Sequence, residues 1–296
     1  MIKINIDPSF DGMLLRDYLF DHLSLSNNLV KKAKSEKGQI LINNVKKTVR
    51  YQLKAGDILQ ITFPPEQVSD SFIKSDIPLK ILYEDDDIII IDKQAGMPTI
   101  PSHLHPDKTI ANGLLYYYDQ IGLQSTIHVV TRLDKDTSGA LLVAKHQYSH
   151  SILSRLQKQF LVKRKYVAIV HGNLRQDEGT IDASIGRKKE SIIEREVSEE
   201  GKRAVTHFKV LERTGKFSVV EVELETGRTH QIRVHFSHIG HPLLGDSLYG
   251  LEKKQTEIQR TALHCSEISF PHPMMKKQIT QTAPIHYDMA VYLNNK

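Results

Sequence analysis

The chain has 296 residues, 40% of them hydrophobic and 25% charged, in keeping with an ordinary globular protein that has a sizeable core and room for an appendage. Its longest aliphatic run, Ile88-Ile89-Ile90-Ile91, is far too short to span a bilayer, and the opening Met1-Ile2-Lys3-Ile4-Asn5, with no long apolar stretch, does not resemble a secretory signal. A single cysteine, Cys265, excludes an intrachain disulfide and fits the reducing cytoplasm, while a formal net charge of +5 turns attention to polyanions.

That charge is unevenly placed. Residues 1–65 carry ten Lys/Arg against six Asp/Glu, which leaves only +1 for the remainder of the chain. From Asp11, the spacing of Leu14, Leu15, Tyr18, Leu19 and Leu23 predicts an amphipathic helix. Ser26 is placed to cap a second helix that buries Leu29, Val30 and Ala33, turns its lysines outward and ends at Gly38. Alternating Ile40 and Ile42, the turn Asn43-Asn44 and the returning Val45 predict a hairpin, and Gly56-Asp57 leads into a strand over 58–63. Within 29–54 stand Lys31, Lys32, Lys34, Lys37, Lys46, Lys47, Arg50 and Lys54 against Glu36 alone. One basic helix is commonly just a solvated face. Charge continuing from a helix into a hairpin favours nucleic acid, and the first seven of these cations are the candidate RNA contacts.

Pro64-Pro65 and the polar run that follows read as a linker over 66–78, dividing the chain into a basic module at 1–65 and a larger domain at 79–296. In the larger part, strands are expected at 79–83, 88–91, 140–144, 166–170 and 217–226, with helices at 109–118 and 149–160. A further helix is expected to start at Thr229 as N-cap and stop before Gly240, its apolar stripe formed by Ile232, Phe236 and Ile239. The charged stretch from Arg187-Lys188-Lys189 to Gly201-Lys202-Arg203 reads equally as a loop pair gripping RNA or as a solvated insertion.

The densest chemistry lies in His128-Val129-Val130-Thr131-Arg132-Leu133-Asp134-Lys135-Asp136-Thr137-Ser138-Gly139, a polar turn feeding an apolar strand. Asp134, Asp136, Ser138 and Gly139 match the start of a calcium loop, but the twelfth position is Lys145 where a bidentate glutamate is needed, so that reading fails. On residue chemistry alone either aspartate could be the reactive carboxylate. The histidines His230, His235, His238 and His241 are spread around the expected helix without paired cysteines, which argues against a metal site.

Arg132-Leu133-Asp134-x-x-Thr137-Ser138-Gly139 resembles the signature of the bacterial ribosomal large-subunit pseudouridine synthases, with Thr131 where the family usually has histidine. The resemblance extends through Lys165-Tyr166, through Thr226-Gly227-Arg228-Thr229-His230-Gln231-Ile232-Arg233-Val234-His235 with Gly245-Asp246 beyond it, and through Leu263-His264-Cys265. These matches run in family order from about 79 to 285. Residues 1–65 resemble, more weakly, the small RNA-binding domain of a ribosomal small-subunit protein.

The resemblance implies an α+β fold, with a mixed, mainly antiparallel sheet flanked by helices and a small N-terminal α/β RNA-binding module. It implies isomerisation of uridine to pseudouridine in RNA by a monomer that needs no cofactor or metal. It makes Asp134 the catalytic carboxylate, Tyr166 a base-stacking and proton-transfer residue, and Arg228 the cation that keeps Asp134 ionised. Arg132 would fill the space of the flipped base and Leu263 would wall its pocket. Ribosomal RNA is the expected substrate. Transfer RNA, or a ribosome-assembly protein that binds RNA without catalysis, are the competing readings.

Overall fold

A computed structural model describes residues 2–69, 72–102, 105–250, 258–275 and 277–293. The first sheet is built from β1 (Ile2–Asn5), β2 (Gln39–Ile42), β3 (Val45–Lys46) and β4 (Ile58–Thr62), in the order β1-β4-β2-β3 and antiparallel throughout. Asn43 and Asn44 both take left-handed φ, as a two-residue hairpin turn requires. The first expected helix is α1 (Leu15–Asp17) continued by a π-turn over Tyr18–His22, which still buries Leu15, Tyr18 and Leu19. In α2 (Asn27–Ala33), Ser26 caps as expected through Leu29 N–H. The helix ends at Ala33, short of Gly38: Lys34–Lys37 form a turn that returns the chain directly into β2.

The second sheet has ten strands. They are β5 (Ile81–Glu84), β6 (Ile88–Lys93), β7 (His128–Val129), β8 (Ser138–Ala144), β9 (Lys163–His171), β10 (Glu178–Asp182), β13 (Val205–Arg213), β14 (Phe217–Leu224), β15 (Leu263–Pro271) and β16 (Gln278–Thr282). A separate two-stranded hairpin, β11 (Ile185–Arg187) with β12 (Arg195–Val197), occupies the charged stretch. The main path runs β10-β13-β14-β9-β15-β8-β6-β5, with β16 on β15 and β7 on β8. All its pairs are antiparallel except β15 with β8. Helices α3 (Ile110–Gln120), α4 (Gln147–Lys158), α5 (Gln231–His238) and α6 (Tyr287–Leu293) flank it, so the expected α+β class with a mainly antiparallel sheet holds. Strands β6 and β8 are buried at every position, which explains why they read as continuous apolar runs and not as alternating ones.

Two hydrophobic cores meet at α4. Tyr148 and Ile152, four residues apart on one face, close the core of the first sheet, while Leu153 belongs to the core of the second. The connecting segment is pinned. Glu66 accepts from Gln147 N–H, from Thr126 and from His128, and these bonds outweigh the burial that would raise its carboxyl, bringing it down to about 2. No helix among the described residues is long and apolar enough to cross a membrane.

Candidate active site

Asp134 sits on the loop between β7 and β8, which is fixed from several sides. Thr137 N–H donates to the Asp134 carbonyl at 3.1 Å, Thr99 Oγ1 to the Leu133 carbonyl at 2.8 Å, and Lys93 Nζ to the Lys135 carbonyl at 2.9 Å. Lys93 ends the all-buried strand β6, where burial lowers its pKa to about 7 against the pull of Asp136 and Asp134. Its Nζ also donates to the carbonyls of Gln94 and Met97. Thr131 is buried and its hydroxyl accepts from Leu142 N–H, so at this position the chain uses a strand anchor.

Gly139 follows with φ at +105°, where an added Cβ would collide with the Cys265 backbone; the parallel approach of β8 to β15 therefore requires glycine. Burial pushes the Cys265 thiol up to about 12 and the neighbouring His264 down to about 4. Neither is charged at neutral pH.

A cavity of about 760 Å³ opens beside Asp134 and is lined by Arg132, Tyr166, Arg228, His230, Arg233 and Leu263 among others. Four of the five residues expected at the site thus gather around Asp134. Tyr166 is buried on β9, opposite Cys265 on β15, and burial raises its phenol well above the usual range despite Arg164 nearby. Leu263 is buried at the start of β15, its carbonyl held by Arg260, which also reaches the Asp136 carbonyl at 3.5 Å. Arg132 is exposed at the rim.

Arg228 also reaches the rim, but it does not pair with Asp134. It is exposed and its Nε donates to the Arg203 carbonyl at 3.0 Å. The cation against Asp134 is Arg233, with Nη1 3.4 Å from Oδ2. Arg233 grips Asp246 through Nε at 2.7 Å and Nη2 at 2.8 Å, a two-donor clamp that leaves Nη1 for Asp134. Burial alone would raise the Asp246 carboxyl; the Arg233 bonds and the N–H groups of Leu248 and Tyr249 overcome it and hold it below the ordinary range.

The expected helix cap differs for a related reason. Thr229 is not the N-cap; His230 is, in a left-handed conformation, and its side chain makes no capping bond. Gln231 does that stitching instead. Its Oε1 accepts from Thr226 Oγ1 and Arg228 N–H, and its Nε2 donates to the Val205 carbonyl. The helix therefore begins one residue later than expected, with Arg233 inside it facing Asp134 and Arg228 on the turn before it.

His230 lies 3.9 Å from Asp134 and shares a hydrogen bond with Tyr249. Burial lowers its pKa against the attraction of Asp134, so it is neutral at pH 7. Of the other histidines, His235 bonds Thr206 and the Ala183 carbonyl, whereas His241 bonds the His171 carbonyl.

Arg233, Lys93, Arg260 and Gln231 were not singled out by sequence reasoning. A signal existed for two of them. Asp246 inside a matched motif needed a cation once buried, and a lysine closing a run of four isoleucines had to find acceptors.

Of the seven cations expected to contact RNA, Lys31, Lys34, Lys37, Lys46, Lys47 and Arg50 are exposed, and Lys32 donates to Gln147 of α4 at 2.7 Å. Among the described residues none of the seven pairs with a carboxylate.

Residues 87–238 match the family model described as RNA pseudouridylate synthase. A Bacillus subtilis (strain 168) protein described as an uncharacterized RNA pseudouridine synthase is 49% identical over 278 residues, covering 94% of this chain and 97% of that protein. A Nitrosomonas europaea protein named ribosomal large subunit pseudouridine synthase D is 37% identical over 299 residues, 99% of this chain and 87% of its own length. In fold, the chain is similar to human RNA pseudouridylate synthase domain containing 1, with a TM-score of 0.58, 24% identity, and coverage of 77% of this chain and 97% of that one.

Proposed function

This chain belongs to the RNA pseudouridine synthase family and isomerises uridine in RNA, and on that footing we propose that Asp134 is its catalytic carboxylate and large-subunit ribosomal RNA its substrate. The observation that carries the first part is Asp134 itself. It projects from a loop pinned by Lys93 and Thr99 into a cavity roomy enough for a nucleoside, with Arg233 beside it. The reaction breaks the N-glycosidic bond, turns the uracil and joins its C5 to C1′ of the sugar. A carboxylate at that junction serves either as nucleophile towards C1′ or as base towards the ribose. Tyr166 walls the base, and its raised pKa keeps the hydroxyl protonated before reaction, so it enters as a donor. Arg233 supports Asp134, Leu263 packs against the uracil, and Arg132 occupies the gap left by the extruded nucleotide. Arg228, on the rim, contacts phosphate.

Support for the ribosomal substrate comes from relatives named for the large subunit and from the exposed cations of residues 1–65. In this reading residues 1–65 bind RNA, 66–78 link, and 79–296 catalyse, in a cytoplasmic monomer. Mapping pseudouridine across total RNA, with and without the gene, tests it. Loss confined to large-subunit ribosomal RNA is expected. Loss confined to transfer RNA would overturn the substrate, and no loss anywhere would overturn the role of Asp134 and its cavity.

A further inference from the structure

Arg164 differs from every other cation around this cavity. Arg132, Lys135 and Arg228 are exposed, and Arg233 is clamped by Asp246. Arg164 lies two residues before Tyr166 on β9, so the two side chains leave the same face of the strand, and both line the cavity. Its Nε is sealed from solvent without a hydrogen-bond partner. Among the described residues no carboxylate pairs with it, and its one side-chain hydrogen bond is a long one, Nη1 to the Tyr166 hydroxyl at 3.4 Å. Nη2 lies against Gly227, where an added Cβ would stand 3.3 Å away, so the guanidinium packs closely on the chain at that position. Free donors on a half-buried cation are costly unless something fills the cavity and accepts from them.

We propose that Arg164 donates to a carbonyl oxygen of the target uracil and stabilises the negative charge the base acquires when its glycosidic bond breaks. The proposal rests on the reading of Asp134 and its cavity as the active site.

When the N1–C1′ bond breaks, its electron pair stays with N1, and conjugation spreads the charge onto O2 and O4. A fixed cation at one of those oxygens acts where charge develops and needs no reorganisation at that moment. The turn of the base fits the same donor. A half-turn about the N3–C6 axis exchanges N1 with C5, and it exchanges the C2 carbonyl with the C4 carbonyl. Arg164 therefore meets a carbonyl oxygen before and after the turn. C5 then bonds to C1′ and releases its proton, N1 gains one, and no other reactant is consumed. Cytosine lacks this symmetry: its 4-amino group would bring donor against donor in one of the two orientations, which selects for uracil.

The test compares the full-length wild type, Arg164→Met and Arg164→Lys in single turnovers at saturating enzyme. The substrate is an RNA that the wild type converts, transcribed with uridine, 2-thiouridine or 4-thiouridine. Conversion of the ordinary transcript by the wild type establishes the reaction separately, so failure of the site reading and failure of this proposal remain distinct. Sulfur accepts hydrogen bonds poorly. Replacing the contacted oxygen should slow the wild type roughly tenfold relative to Arg164→Met, in which the penalty disappears. On ordinary uridine, Arg164→Met should lose on the order of 10²–10³ in rate, and Arg164→Lys less. An identical sulfur penalty in wild type and Arg164→Met would overturn the proposal. So would a loss of affinity with an unchanged rate, which marks a phosphate contact, or a displaced pH limb with the penalty intact, which marks action through Tyr166. If Arg164→Met does not fold, Arg164→Lys, which keeps the charge but loses the planar fork of donors, should show a weaker sulfur penalty than the wild type; an undiminished penalty there would overturn the proposal as well.

Discussion

Replacing Arg233 by methionine tests the buried pair with Asp246 that holds the Arg233 guanidinium beside Asp134. The side chain of Arg233 is 6% exposed and that of Asp246 is fully buried, so Arg233→Met strands a carboxylate inside the protein. Removing one partner of a buried pair costs roughly 3–5 kcal/mol, and the N–H groups of Leu248 and Tyr249 that still reach Asp246 place the expectation at the lower end. For a chain of this size that is on the order of 10 °C in Tm. The pH dependence fixes the cause. In the wild type the folded-state pKa of Asp246 is depressed, so its contribution is present above the unfolded carboxyl value of about 4 and is lost as pH falls through the lower folded value. In Arg233→Met the burial that Arg233 had opposed pushes the carboxyl above its unfolded value, and the variant then loses stability as pH rises through about 4 and beyond. The gap between the two proteins should be small near pH 4 and widest at neutral pH. Urea denaturation at both pH values measures it. Arg228→Met, an exposed change, should shift stability by no more than about 0.5 kcal/mol. A gap independent of pH, or equal losses from Arg228→Met and Arg233→Met, would refute the assignment of the buried pair.

Asp134→Asn should abolish product with melting temperature and RNA affinity nearly unchanged, because Asp134 is part-exposed on its loop and supports no core; carbodiimide-dependent reverse-transcription stops report the product, and near wild-type conversion would defeat the mechanism. Changing Lys31, Lys34 and Lys37 together to glutamine should weaken RNA binding and flatten its salt dependence, with the rate at saturation unchanged. The log–log slope should fall by roughly 0.7–0.9 for each phosphate that is no longer neutralised. An unaltered slope would remove α2 and its turn from the RNA interface. Lys93→Met should strand the carbonyls of Gln94, Met97 and Lys135, costing at least about 1–3 kcal/mol and slowing single turnovers by loosening the Asp134 loop. If stability fell while the single-turnover rate held, the loop would be shown to keep its geometry without that lysine.

Much of this protein was written in local pattern. The isoleucine run, the Ser26 cap, the Asn43-Asn44 turn and the alternation through β14 each follow from interactions a few residues long, and each matches an observed element. The cavity's membership was legible too, because Arg132, Asp134, Tyr166, Arg228 and Leu263 all reach one space. Tertiary structure decided which arginine does what. Arg228 and Arg233 share one motif, and no periodicity separates them. The choice follows from the burial of Asp246, which holds Arg233 by two donors and leaves its third nitrogen beside Asp134, while Arg228 stays exposed on the turn. It also decided the charge state of each group, because burial depends on what distant strands bring. Lys93 meets Lys135 across 42 positions and Asp134 meets Arg233 across 99, separations over which a sequence carries no local signal.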